Sequence, residues 1–214
     1  MRNCLIYLII SIFYFNNIFS KYTIENGIVM YNGVSVTRDL EYPFTTNADV
    51  KSFKVIDGIY AKDKYAVYRY GNYIIGADSQ TFIPLNHGFS KDKNNIYYNS
   101  FIIEEADMNS FEILSSDFSK DKNYFYFDGG KIKNIDVKTV KIFEKSFDNK
   151  YYLKDKNGIY VIIKSEIFPY EYKITKLENV DIKTFEILSE GNARDKNFMY
   201  IFDKKNKTID IRKN

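Results

Sequence analysis

An all-β fold of tandem repeats, each about 29 residues long, is predicted by three features of this 214-residue chain. Aromatic residues make up 18 % of it, all Tyr and Phe with no Trp, and with the many Ile they favour strands over helices. An Asp-Lys pair recurs in "AKDKYAVYRY", "SKDKNNIYYN", "SKDKNYFYFD", "LKDKNGIYVI" and "ARDKNFMYIF", led by Asp63, Asp92, Asp121, Asp155 and Asp195 at spacings of 29, 29, 34 and 40. A second motif, "ADVKSFKVI" and its relatives, is led by Asp49, Asp78, Asp107, Asp136 and Asp181. It precedes the first by 14, 14, 14, 19 and 14 residues, an interval too regular for unrelated segments.

Each repeat reads in order from the second motif. Its Asp is followed three residues later by Ser52, Thr81, Ser110, Thr139 or Thr184, which suits the cap of one short helical turn. The next apolar residue, Phe53, Phe82, Phe111, Val140 or Phe185, is its expected core anchor. Stretches such as "FEILS" then alternate as a half-buried strand should, and Pro84 inside one of them marks an edge or a bulge. An aromatic residue stands three before the paired Asp at Tyr60, Phe89, Phe118 and Tyr152, failing at Asn192. A tyrosine stands five after it without exception, at Tyr68, Tyr97, Tyr126, Tyr160 and Tyr200.

Aromatics flanking a polar Asp-Lys-Asn turn predict a hairpin of two short strands. The Asp is expected to bond its own following backbone, the Asn to tolerate positive φ, and the lysines to discourage edge pairing. The invariant tyrosine is expected to pack between repeats. A repeat is then one short turn of helix plus about three strands, and unequal lengths favour an open meander or solenoid-like array over a closed ring.

The repeats form a single expected domain over residues 21–214. A degenerate first repeat, about 25–60, carries "ENGIVMYNG", and the others start near 61, 90, 119, 153 and 193. Residues 1–20 differ in kind: "MRN" is a short positive lead and "CLIYLIISIFYF" an apolar run. Ile18 and Ser20 stand where a signal peptidase reads, which predicts cleavage before Lys21 and export to the periplasm, cell surface or medium. A retained anchor is the lesser reading, because the run falls short of the roughly 20 residues a spanning helix needs. No membrane span is expected after cleavage. Cys4, the only cysteine, would leave with the leader, taking disulfides, thiolate nucleophiles and cysteine metal sites with it.

These paired motifs resemble the DKNYY family of bacterial repeat proteins, and "KDKNNIYYN" at residues 91–99 is close to the pattern that names it. The resemblance runs from about Asn26 to Asp203. Tyr65 departs from it where Asn is expected after Asp-Lys, and Val161 and Ile201 stand where a second aromatic would. It implies the repeat architecture and no particular reaction or catalytic residue.

The charge of +3, with signs interleaved, predicts no nucleic-acid partner. His87 is the only histidine, so neither a histidine-centred triad nor a multi-histidine metal site is expected, and no cofactor is. Each motif brings one carboxylate, too few for a calcium loop, and Glu104 and Glu105, as neighbours on a strand, would face opposite ways. The expected role is a binding or structural module with a protein or glycan partner, not an enzyme. The rival is an exported, glycan-directed enzyme using carboxylates from separate repeats. Contacts are expected where the repeat is broken: "KSEIFPYEYKITK" interrupts it, and Phe168, Tyr170 and Tyr172 form its candidate patch.

Overall fold

In the computed structural model of the chain, residues 22–39, 45–143, 149–165, 171–203 and 205–214 are described. They form small antiparallel sheets whose strands follow one another in chain order. The chain divides into two compact units, the first covering residues 1–119 with 126–130 and the second residues 120–125 with 131–214.

In the first unit, strands Tyr22–Glu25, Ile28–Tyr31 and Val34–Ser35 form a three-stranded sheet, and Thr37–Asp39 pairs with Thr45–Asn47. Two four-stranded sheets follow. One comprises Lys54–Val55, Tyr60–Lys62, Val67–Arg69 and Asn72–Tyr73, the other Ile83–Pro84, Phe89–Lys91, Ile96–Tyr98 and Phe101–Ile102. Pro84 lies on an edge strand, where its missing N–H costs no ladder bond. The boundary between the units passes through a sheet of Glu112–Ile113, Phe118–Lys120, Phe125–Phe127 and Gly130–Ile132.

The second unit has two four-stranded sheets. One comprises Lys141–Ile142, Lys150–Asp155, Gly158–Lys164 and Tyr172–Lys176, the other Glu186–Ile187, Ala193–Arg194, Phe198–Asp203 and Thr208–Lys213. Four strands per repeat, one more than the expected three, arise because a strand of two or three residues closes each short repeat.

The capping segments are single hydrogen-bonded turns, as in Phe82 N to Asp78 O at 3.0 Å. Two 3₁₀ turns lie elsewhere, at Asn86–Gly88 and Ser189–Gly191. His87 occupies the first of these, exposed and with φ of 60°. Glu104 and Glu105 sit in a turn with Glu105 at φ 59°, not along a strand as their spacing suggested.

The central strands are buried on both faces, which explains why apolar residues stand next to each other in them. Ile96 and Tyr97 point to opposite sides of their sheet, yet both are buried. Tyr97 joins Tyr60, Val67 and Phe82 of the preceding repeat's core, while Phe89 and Ile96 join Phe111 and Tyr126. Where the capping turn carries Phe, at Phe53, Phe82, Phe111 and Phe185, that ring lies between two others. Phe82 is 5.4 Å from Tyr60 and 6.2 Å from Tyr97, and Phe185 is 5.7 Å from Tyr152 and 5.8 Å from Tyr200. Each tilted pair adds about 0.5–1.5 kcal/mol beyond the area it buries. The aromatic period is thus the period of cores shared by neighbouring repeats.

Candidate functional site

The recurring Asp of the Asp-Lys pair is buried, at 3 % exposure for Asp92, and its carboxylate is saturated. Oδ1 of Asp92 accepts from the backbone N–H groups of Asn94 and Asn95 at 2.7 and 2.8 Å. Oδ2 accepts from the N–H of Asp78 at 2.8 Å and from the hydroxyl of Tyr97 at 2.7 Å. A carboxylate offers about four acceptor positions, and all are taken. Asp63, Asp155 and Asp195 repeat the arrangement with Tyr68, Tyr160 and Tyr200 and with the N–H of Asp49, Asp136 and Asp181. At Asp121, Oδ1 accepts from Asn123 and Tyr124. Tyr126 is fully buried, as are Tyr68, Tyr97 and Tyr200.

The fixed interval of 14 residues is the reach of one hydrogen bond. Where it lengthens to 19, the Asp136 N–H still donates to Asp155 at 2.7 Å. The capping hydroxyl joins the same knot: Thr81 Oγ1 donates to Asp78 at 2.8 Å and accepts from the N–H of Lys93 at 3.1 Å. Lys93 then pairs with Asp78 at 2.9 Å, and Lys64, Lys156 and Lys196 pair likewise with Asp49, Asp136 and Asp181. The preceding lysine reaches onward, from Lys62 to the carbonyl of Ser79 at 2.7 Å and from Lys154 to that of Ile182 at 3.1 Å. Both lysines therefore tie chain segments together, a different role from the edge protection expected of them.

The same bonds set the electrostatics. Hydrogen bonding from Lys93 and Lys196 holds the carboxyls of Asp78 and Asp181 down at about 2. Burial works to raise Asp92 and Asp195, but the N–H and hydroxyl donors around them outweigh it and their pKa is lowered. Burial pushes the phenols of Tyr68, Tyr97 and Tyr200 up, assisted by their carboxylate partners. These tyrosines are locked hydroxyl donors. The turn itself bends without positive φ: Asn94, Asn123, Asn157 and Asn197 all lie outside that region. The left-handed Asn residues stand instead at Asn26, Asn32, Asn99, Asn134, Asn149 and Asn179, outside this turn.

With the repeated residues enclosed, the grooves among the described residues include one in each unit with apolar lining. In the first unit a groove of about 610 Å³ is lined by Arg69, Tyr70, Tyr73, Ile75, Phe101 and Ile102, among others. Ile75 and Phe101 are 76 % and 77 % exposed. Phe101–Ile102 follows a turn through Asn99 and Ser100, and two consecutive apolar residues on a closing edge strand were the sequence signal for it. In the second unit a groove of about 450 Å³ is lined by Ile163, Lys164, Tyr172, Lys173, Asn206 and Lys207, with Ser165 and Glu171. Tyr172 is half-buried and opens the strand Tyr172–Lys176, paired with Lys164. Phe168 and Tyr170, its companions in the expected patch, lie outside the described residues.

Among the described residues no group of three or more His, Cys, Asp or Glu could hold a metal ion, and no helix is long and apolar enough to cross a membrane.

Four-stranded sheets in series, each with one enclosed carboxylate, define a tandem β-repeat protein. The model of the DKNYY family matches residues 8–101 and 89–164, and the chain belongs to that family. The repeat around Asp195, beyond the matched stretch, carries the same bonds. Comparisons with curated proteins and with solved structures return no match.

Proposed function

We propose that the protein is an exported binding module, working at the cell envelope or outside the cell, in which the Asp–Tyr knots are scaffold and the surface between them is the working part. The observation that carries this is the contrast between a saturated, enclosed repeat motif and the apolar groove of Ile75, Phe101 and Ile102 held open beside it. A contiguous exposed apolar surface of this kind suits a protein partner, because covering it gains roughly 25 cal/mol per Å². Export rests on the apolar run of residues 4–15 behind Arg2 and on the residues that precede Lys21.

The test has two parts. N-terminal sequencing of the protein from its native cells is expected to begin at Lys21, and an intact Met1 in the cytoplasmic fraction would overturn export. Retention of envelope proteins on the immobilised chain is expected to fall when Ile75 and Phe101 are both changed to Asp. Equal recovery by both chains would remove that groove from the account.

A further inference from the structure

Charge divides unevenly along the chain. Of the 31 basic and 28 acidic residues, the second unit holds 21 and 14, a net +7, and the first holds 10 and 14, a net −4. The overall +3 therefore conceals a basic region. Within the second unit, the groove beside Tyr172 adjoins another of about 260 Å³, and the two share Ile163, Lys173 and Lys207. Lys164 lines the first and Lys176 the second, against one Glu in each, Glu171 and Glu178. Lys173 and Lys176 make no ion pair among the described residues, and both are exposed. Ile163, 7 % exposed, and the half-buried Tyr172 give this basic trough apolar walls.

Lys207 lines both grooves from the turn that follows Phe198–Asp203. Its backbone is held at φ 53°, where Asn or Gly would sit at lower cost. The turn before it is pinned by Asp203, which accepts from the N–H groups of Lys205 and Asn206 at 2.9 and 3.0 Å. This turn aims a long cationic side chain from the second sheet at a trough already lined by lysines of the first.

From this we infer that the trough binds an anionic glycan, its lysines meeting carboxylate or phosphate groups and Tyr172 meeting a sugar face. The uncharged polar lining, Ser165, Asn206, Thr175 and Thr208, matches sugar hydroxyls. A single tyrosine and no arginine argue against nucleic acid, which is gripped by successive stacked aromatics and arginine planes. The inference rests on the binding-module reading and assigns a ligand class to a groove separate from the apolar one.

Binding is measured with the full-length chain by isothermal titration against oligogalacturonate, with neutral dextran, polyphosphate and single-stranded DNA as comparison probes. Oligogalacturonate is expected to bind and to weaken as salt rises, and neutral dextran to give no signal. Lys173→Ala is expected to weaken it about three- to tenfold, and Lys51→Ala, in the first unit, to leave it unchanged. Lys207→Asn is expected to weaken binding while raising the melting temperature, a combination that a purely structural lysine would not produce. Polyphosphate or DNA binding as tightly as oligogalacturonate would overturn the glycan assignment, as would no binding to any probe. If that failure came with retention of envelope proteins still sensitive to Ile75 and Phe101, only this inference would fall; loss of both would remove the binding-module reading as well.

Discussion

The first and second units solve the same folding problem with different amounts of chain. In the first, the hairpins that carry the Asp-Lys pair have strands of three residues, as in Phe89–Lys91 and Ile96–Tyr98, and adjacent repeats are linked by a turn residue. Arg69 there donates to Asn99 Oδ1 at 2.8 Å, and Tyr98 to Asp128 Oδ1 at 3.2 Å. In the second, the corresponding hairpin spans Lys150–Asp155 and Gly158–Lys164, paired over six positions. It encloses Lys150, whose ammonium lies 3.9 Å from the centre of the Phe202 ring and donates to the carbonyl of Gly191. The carboxylate knot at its base is nevertheless that of the short repeats. Added chain is tolerated wherever it leaves the knot alone, and the added surface is where the basic trough arises.

The largest expected effect comes from breaking the knot. Asp92→Ala leaves three partly buried N–H groups and a buried phenol without their acceptor, and is expected to cost about 2–4 kcal/mol in urea unfolding. Asp155→Ala should cost about as much; a loss under about 1 kcal/mol at either position would show that the two units are not held in the same way. The tyrosines then sharpen the contrast. Tyr97 donates to Asp92 at 2.7 Å, whereas Tyr160 lies 3.1 Å from the carbonyl of Asn134 and 3.3 Å from Asp155. Tyr97→Phe, losing a short charge-assisted bond, is expected to cost about 1.5–3 kcal/mol and Tyr160→Phe about 1 kcal/mol. Equal costs would contradict the geometry.

Turns of the first unit give a smaller effect. Tyr70–Gly71, Asn99–Ser100 and Asp128–Gly129 each place two positive-φ residues in succession, the conformation that Asn-Gly pairs favour. A Cβ on Gly71 would stand 2.7 Å from Cβ of Tyr31, so Gly71→Ala is expected to destabilise. Ser100 holds φ 80° with a side chain, and Ser100→Gly is expected to stabilise by roughly 0.5–1 kcal/mol. The melting temperature should move in opposite directions for the two variants.

The smallest difference expected between the units is in acid. Folded Asp78 and Asp181 titrate at about 2, below the ordinary 3.8, so the unfolded chain takes up protons first. The stability these groups contribute is complete above about pH 4 and is lost as pH falls toward 2. Carboxyl NMR titrations should give both residues, one in each unit, nearly the same midpoint, and a midpoint near 3.8 for one of them would break the equivalence.

Much of this was legible from residue spacing. The Asp-Lys-Asn turn, the capping Asp with its hydroxyl three residues on, and the phase of Tyr68 through Tyr200 follow from local backbone chemistry and strand alternation. The use of that spacing was not legible, because a bond from the Asp78 N–H to the Asp92 carboxylate involves a backbone donor that every residue type offers. The partner of Lys93 was hidden for a similar reason, since exposed lysines have many acceptors within reach. The trough was obscured because its lysines come from two strands of one sheet, Gly158–Lys164 and Tyr172–Lys176, and from the turn that leads into Thr208–Lys213 of another. Only Tyr172 of it stood out in the sequence.

The central claim, that the recurring Asp and Tyr are joined to each other as scaffold, is tested most directly by a double-mutant cycle on Asp92→Asn and Tyr97→Phe in urea unfolding at neutral pH. A coupling energy of about 1.5–3 kcal/mol is predicted, and strictly additive losses would contradict it.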